Sequence, residues 1–195
     1  MSNFSPKEIT CKNSEAVTLR KAIAEDAKKL NGLAIEVFNT SEYLITTSED
    51  FVSFDEHRQK ERILSFQNKE GRLLLVAEYQ DDLIGILDFQ NGQRKRIAHR
   101  GSIGMSIKSN WRSHGIGQLM LESLIEWVKE QNFLEFIHLT VMEENKPAMS
   151  LYSKLGFQEI GRDLFGVKIS EGEYLTEIYM SLKVGRKTEE DLVCQ

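Results

Sequence analysis

The chain has 195 residues, enough to bury a sizeable core in one domain and too few for two ordinary ones. With 41% hydrophobic and 28% charged residues it has an average globular composition, which excludes a disordered or fibrous chain. Its 25 Lys and Arg against 30 Asp and Glu leave a net charge of −5, whereas a protein that coats nucleic acid needs a basic excess.

Residues 1–15 are polar and aperiodic and read as a loose end. Val17–Arg20 reads as a short strand, and Glu25–Phe38, with Ala27, Leu30, Ala34 and Val37 at helical spacing, as a helix. A second, strongly charged helix is expected over 55–68, with Ile63, Leu64 and Phe66 as its apolar contribution. Arg72–Tyr79 and Leu83–Phe89 are β-rich runs around the spacer Gln80-Asp81-Asp82, the pattern of an antiparallel hairpin. The basic knot Gln93-Arg94-Lys95-Arg96 reads as a solvated loop or, alternatively, as a contact for an anionic partner.

Gly101–Ile107 is a strand with Ile103, Met105 and Ile107 on one face and the small Ser102, Gly104 and Ser106 on the other. Gly115–Asn132 is a helix, because Ile116, Leu119, Met120, Leu124, Trp127 and Val128 recur on one side. Glu135–Val141 alternates as a strand. Asn145–Leu155 is a short helix, with Asn145 as cap, Pro147 in the first turn and Gly156 as a left-handed stop. Phe157–Ile169 and Tyr174–Leu182 are long strands around the turn Ser170–Gly172, and residues 183–195 form a second loose end. The order β-α-α-β-β-β-α-β-α-β-β describes a single α+β domain over 16–182 with a mixed sheet.

Cys11 and Cys194 lie near opposite ends without a Cys-x-x-Cys pair, and read as two reduced thiols. His57, His99, His114 and His138 are dispersed without the i, i+4 spacing of paired ligands, so no metal is expected. No stretch approaches the ~20 apolar residues of a bilayer-spanning helix, and MSNFSPKEIT lacks the layout of a signal peptide. A soluble, cytoplasmic protein with neither membrane nor nucleic-acid partner is expected.

The chemistry concentrates in Ile107–Gln118, which runs from strand through a turn with two glycines to a helix. Gly115 and Gly117 leave no side chain between backbone and ligand, and the first helical N–H groups face that gap with a partial positive charge behind them. Such an end binds phosphate, and Lys108, Arg112 and His114 add donors or positive charge, which favours a diphosphate. Taken alone, Gly-x-Gly is explained equally well by a tight turn. A Rossmann fingerprint fails because position 120 is Met, and no Gly-Lys-Ser/Thr follows for a triphosphate loop. In Asn145–Phe157, Ala148, Leu151, Tyr152 and Leu155 share one helical face, which alone reads as a core-facing helix.

Together, Arg112-x-x-Gly115-x-Gly117 after a strand and Asn145…Ala148…Leu151-Tyr152…Gly156-Phe157 closely resemble the GNAT superfamily of acyl-CoA-dependent N-acyltransferases, over roughly 16–182. The resemblance implies a mixed six- to seven-stranded sheet, splayed between its fourth and fifth strands and flanked by about four helices, with acetyl-CoA as cosubstrate in the V. It implies that the strand carrying Met105 and Ile107 offers backbone groups to pantetheine. The amides of Ser113, His114, Gly115, Ile116, Gly117 and Gln118 and the Arg112 side chain would hold the diphosphate. Asn145 would bond or brace the pantetheine arm, and Tyr152 would stand near the sulfur as the catalytic acid. Val-x-Pro is replaced by Ile107-Lys108-Ser109 and Arg-Gly-x-Gly by Arg112-Ser113-His114-Gly115. GSIGMSI has no Glu where some members place a general base, which leaves Glu78, His99, His138 and Glu143 as candidates.

The expected activity is acetyl transfer to a primary amine, on a small molecule or a peptide N-terminus, by direct attack in a ternary complex. A catalytically weak acyl-CoA-binding sensor or interaction module is the alternative. Specificity would come from 25–70 and the loop near 166–174, where Glu36, Glu42, Glu49 and Asp50 could form an acidic mouth or merely a solvated face. The long final strand makes a homodimer conceivable.

Overall fold

The computed structural model describes residues 4–45 and 55–185. Eight strands are found: β1 Lys7–Thr10, β2 Ala16–Lys21, β3 Arg72–Tyr79, β4 Asp82–Asn91, β5 Arg100–Ile107, β6 Phe136–Met142, β7 Gln158–Ser170 and β8 Glu173–Lys183. Among the described residues four α-helices accompany them: α1 Ala27–Thr40, α2 Glu56–Gln67, α3 Ile116–Glu130 and α4 Lys146–Lys154. The strands form one sheet in the order β1-β2-β3-β4-β5-β6-β8-β7. Only β5 and β6 run parallel, as expected where the long connection through α3 must carry the chain back.

Strand alternation divides the core between the two faces of this sheet. Leu73, Leu75 and Ala77 of β3 pack with Met120, Leu124 and Trp127 of α3, where the Trp127 ring meets Phe89 edge-on at 5.8 Å. Leu74 and Val76 of the same strand face the other way, against Leu30, Leu33 and Val37 of α1 and Ile63 and Phe66 of α2. The α2 start is set by Asp55, whose side chain accepts from the Arg58 N–H at 2.8 Å.

The central event is the parting of β5 and β6. They pair only at Arg100–Phe136, Gly101–Ile137 and Ser102–His138, and from Ile103 onward they diverge into a V. The mixed α+β sheet and its four helices match the expected class, with one strand more than anticipated. That strand, β1, lies in a segment read as loose, and it pairs with β2 from Lys7–Leu19 to Thr10–Ala16. Four residues with one inward apolar side chain carry too short a pattern to be seen along the chain. Phe4 and Cys11 on its flanks are buried in the α3-side core. At the other end Val184 is buried, and its N–H donates to the Glu135 carbonyl at 2.7 Å. Cys194, Glu49 and Asp50 lie outside the described residues.

Candidate active site

The V opens onto a cavity of about 960 Å³ that continues beneath α1 and α2, within the range of sites for small ligands. At its rim, Ser113 and Gly115 take left-handed conformations, φ 66 and 89, which turn the chain sharply into α3. Gly115 caps α3 without a side-chain hydrogen bond. The first α3 amides therefore lack helical partners and face outward with the positive end of the helix dipole. A Cβ on Gly117 would stand 3.3 Å from the side chains of Met105, Ile107 and Leu151. A larger residue there would need these side chains to give by a few tenths of an ångström.

Met105, Ile107, Ser113, Gly115, Gly117, Gln118, Asn145, Arg112 and Tyr152 all line the cavity, so elements far apart in sequence converge there. The side chains of His114 and Ile116 do not: the His114 ring packs against Trp111, and Ile116 is buried in the core. That leaves their backbone groups: His114 lies in the turn before α3 with its ring against Trp111, while Ile116 turns inward in the first helical turn.

Arg112 and Lys108 are both engaged within the chain. The Arg112 guanidinium donates to the Ile107 carbonyl at 3.1 Å, the Thr40 carbonyl at 2.9 Å and the Thr40 hydroxyl at 3.1 Å. It thus ties the end of α1 to the glycine turn. Lys108 is ion-paired with Asp82 at 2.7 Å and Glu36 at 3.4 Å. Asn145 acts as a helix cap, its side chain accepting from the Ala148 N–H at 3.3 Å. Tyr152 is 8% exposed, and burial pushes its phenol up to about 12.

Other residues at this site carry no motif. Lys12, just after β1, donates its N–H to the His114 carbonyl at 3.0 Å and lays its aliphatic stem against Gly115. Lys154 of α4 lines the same cavity and bonds Gln118 at 2.9 Å. At the opposite end stand Gln59 and Arg62 of α2 and Asp88 of β4. Asp88 Oδ2 accepts from Arg62 Nη2 at 2.7 Å and the carboxylate is also bonded by the Gly104 N–H. Burial pushes the Asp88 carboxyl up, and these two donors offset that only in part. The one signal in the sequence was the polar Asp88 within the apolar run Leu83–Phe89.

The four candidate bases do not line this cavity. Glu78 is ion-paired with Arg20 at 2.7 Å and Glu143 with Arg162 at 3.4 Å. His99 meets Phe136 edge-on and His138 stacks on the same ring, its pKa lowered by burial and then by Arg100 and His99. Nor does the acidic mouth form among the described residues: Glu36 pairs with Lys108, and neither it nor Glu42 lines the cavity. Among the described residues no group of three or more His, Cys, Asp or Glu stands together as metal ligands.

Comparison with known proteins agrees with this geometry. The family model described as acetyltransferase (GNAT) family matches residues 22–157. The L-amino acid N-acetyltransferase AaaT of Escherichia coli (strain K12) is 30% identical over 128 residues, 65% of this chain and 75% of that protein. An N-alpha-acetyltransferase of Sulfurisphaera tokodaii is 30% identical over 93 residues, 44% of this chain and 56% of its own. Among solved structures, a GNAT-family acetyltransferase from Streptococcus pneumoniae superposes with a TM-score of 0.82 at 24% identity, covering 87% of this chain and 99% of that one. The yncA structure from Salmonella typhimurium, with its cofactor acetyl-CoA, gives 0.76 at 17% identity, covering 88% and 96%. The splayed sheet, the glycine turn at the start of α3 and the match over 22–157 together place this chain in the GNAT family of acetyltransferases.

Proposed function

We propose that this acetyl-CoA-dependent N-acetyltransferase acts by direct attack of a neutral primary amine on the thioester, both substrates being bound together. The observation that carries the reading is the polarity of the single cavity in the V. One end holds the unsatisfied α3 amides with Lys12 and Lys154, and suits a diphosphate; the other holds Asp88 beneath α1 and α2. Tyr152 lines the same cavity.

A thioester is already activated, so the chain mainly aligns the amine, stabilises the oxyanion and eases departure of the thiolate. In this reading the edge of β5 beyond Ser102, which no longer pairs with β6, lies along pantetheine and supplies the N–H for the oxyanion. The amine nitrogen forms the new C–N bond, the C–S bond breaks, and the amine proton passes to Asp88 and on to solvent. With a phenol held up to about 12, Tyr152 stays protonated at neutral pH and donates a hydrogen bond to the departing sulfur. Among the described residues no cysteine lines the cavity to form an acyl-enzyme.

The relatives named above act, by their names, on L-amino acids and on protein N-termini, so both acceptor classes belong in the test. Thiol release from acetyl-CoA is followed with amino acids, peptides, polyamines and amino sugars. Turnover with one class, by intersecting double-reciprocal lines, is the expected result; parallel lines would contradict direct attack. We further propose that β7 pairs two copies, because this edge strand exposes Ile160, Leu164, Phe165 and Ile169.

A further inference from the structure

We propose that Gln59, Arg62 and Asp88 form the acceptor subsite and that it takes a free α-amino acid with an apolar side chain, the amine on Asp88 and Gln59 and the carboxylate on Arg62. The inference rests on the acetyl-transfer reading above and narrows its acceptor to one chemical class.

Placement comes first. Gln59 and Arg62 are three residues apart on α2 and so project from one face. Asp88 pairs across the sheet with Gly104, just beyond Ser102, the last β5 residue that still pairs with β6. The carboxylate therefore stands at the head of the V. Gly104 keeps this space open, since a Cβ there would lie 3.3 Å from Asp88 Oδ2. The other cations of the cavity, Lys12, Arg112 and Lys154, gather at the α3 end, where phosphate would lie. Arg62 stands apart from them, on α2 beside Asp88.

Hydrogen-bonding capacity decides the ligand. Gln59 is 2% exposed, lines the cavity, and its Oε1 has no hydrogen-bond partner among the described residues. An amide oxygen only accepts, so the missing partner is a donor, and an amine has donors to share between Oε1 and Asp88. The Arg62 and Asp88 side chains are 31% and 23% exposed, which leaves the pair accessible from the cavity. A guanidinium has five donors, and Arg62 shows one hydrogen bond, from Nη2 to Asp88, among the described residues. Its planar fork suits a second carboxylate.

An α-amino acid carries its amine and carboxylate on one carbon, and so lies head to tail along the Arg62–Asp88 pair, its carboxylate accepting from Arg62 and its amine donating to Asp88. A peptide N-terminus brings the amine alone. The walls are apolar, with Leu33, Val37 and Phe38 from α1 and Leu44 and Ile45 beyond it, which suits an aliphatic side chain.

The test compares leucine, leucinamide and a leucyl peptide as acceptors, with the wild type, Arg62→Gln and Arg62→Lys. The wild type is expected to favour leucine over leucinamide by about 10²-fold or more in kcat/KM. Arg62→Gln collapses that ratio towards one, and Arg62→Lys, which keeps the charge, retains part of it. A merely structural Arg62 would lower both substrates alike. Gln59→Met weakens leucine and leucinamide by a similar factor, because both bring the amine. Calorimetric titration of leucine and leucinamide into the CoA-loaded protein reads the same preference without chemistry. Absence of any turnover would thus count against the acetyl-transfer reading alone, and the titration would still decide the subsite. The proposal is overturned if leucinamide or the peptide serves as well as leucine in the wild type, or if Arg62→Gln leaves the ratio unchanged.

Discussion

Tyr152 and Asp88 are both ionisable groups displaced by burial, with opposite consequences. The raised phenol remains a donor throughout the working range, so on the proposed mechanism Tyr152→Phe removes the hydrogen bond to the departing sulfur. Its kcat is expected to fall by about 10²-fold or more, with KM for acetyl-CoA nearly unchanged, and steady-state kinetics on both substrates checks the split. Asp88 must be ionised to receive the amine. It is faced by Arg62 from α2, Leu74 from β3 and Gly104 from β5, with apolar α1 residues across the cavity, so Arg62 is its one charged neighbour among these. Its carboxyl lies above the ordinary range, hence below that raised value kcat/KM should fall more steeply than protonation of the amine alone requires. Asp88→Asn should abolish this limb. The rate then follows the free amine, rising about tenfold per pH unit towards the amine's own pKa, and a pH profile of the two proteins reads the difference. Arg112 lines the cavity as its place in the motif suggested, and its donors also reach Thr40 across 72 residues, a partner that no local pattern announces.

At the scale of elements, the start of α1 is held by an ionic cluster. Arg20 of β2 bonds Asp26 at 2.7 Å and Glu78 of β3 at 2.7 Å, and the Ile23 N–H donates to Asp26 at 2.8 Å. Burial alone would push the Asp26 carboxyl up, but bonds from Arg20 and Ile23 outweigh it and hold it below its ordinary value. Asp26→Ala leaves Arg20 with Glu78 as its remaining partner and removes the acceptor of the Ile23 N–H, and should cost about 1–3 kcal/mol in urea denaturation. Because the folded pKa is lowered, this contribution is present above the unfolded value and lost as pH falls through the folded one. Asp26→Asn should accordingly flatten the decline of stability at acid pH. Most elements were legible in their periodicity, and β3 matches its expected bounds residue for residue. Only β1 escaped, because a four-residue edge strand is stabilised by its neighbour rather than by its own pattern.

For the whole molecule, the division of one sheet between two cores leaves the V as the place where apolar packing is incomplete. A ligand that bridges β5, α3 and α4 should stabilise the folded state. Acetyl-CoA at 100 times its Kd is expected to add about 2.7 kcal/mol, read as a rise in Tm with ligand concentration. An unchanged Tm would contradict binding across these elements. The exposed face of β7 gives a second expectation: sedimentation should show a dimer that Phe165→Glu weakens, with secondary structure retained.

The order of strands and helices, the glycine turn before α3 and the Tyr152 helix were determined by the sequence itself, because periodicity, caps and left-handed glycines act within a few residues. Together they carry the resemblance to the GNAT superfamily, and it is that resemblance which implied the fold and acetyl-CoA as cosubstrate. The acceptor end was decided only in three dimensions. Gln59, Arg62 and Asp88 come from a helix and a strand that each look ordinary, and Lys12 from a segment without visible pattern. Their chemistry arises from burial and from unmatched hydrogen bonds, and both are properties of packing between distant elements rather than of any local stretch of chain.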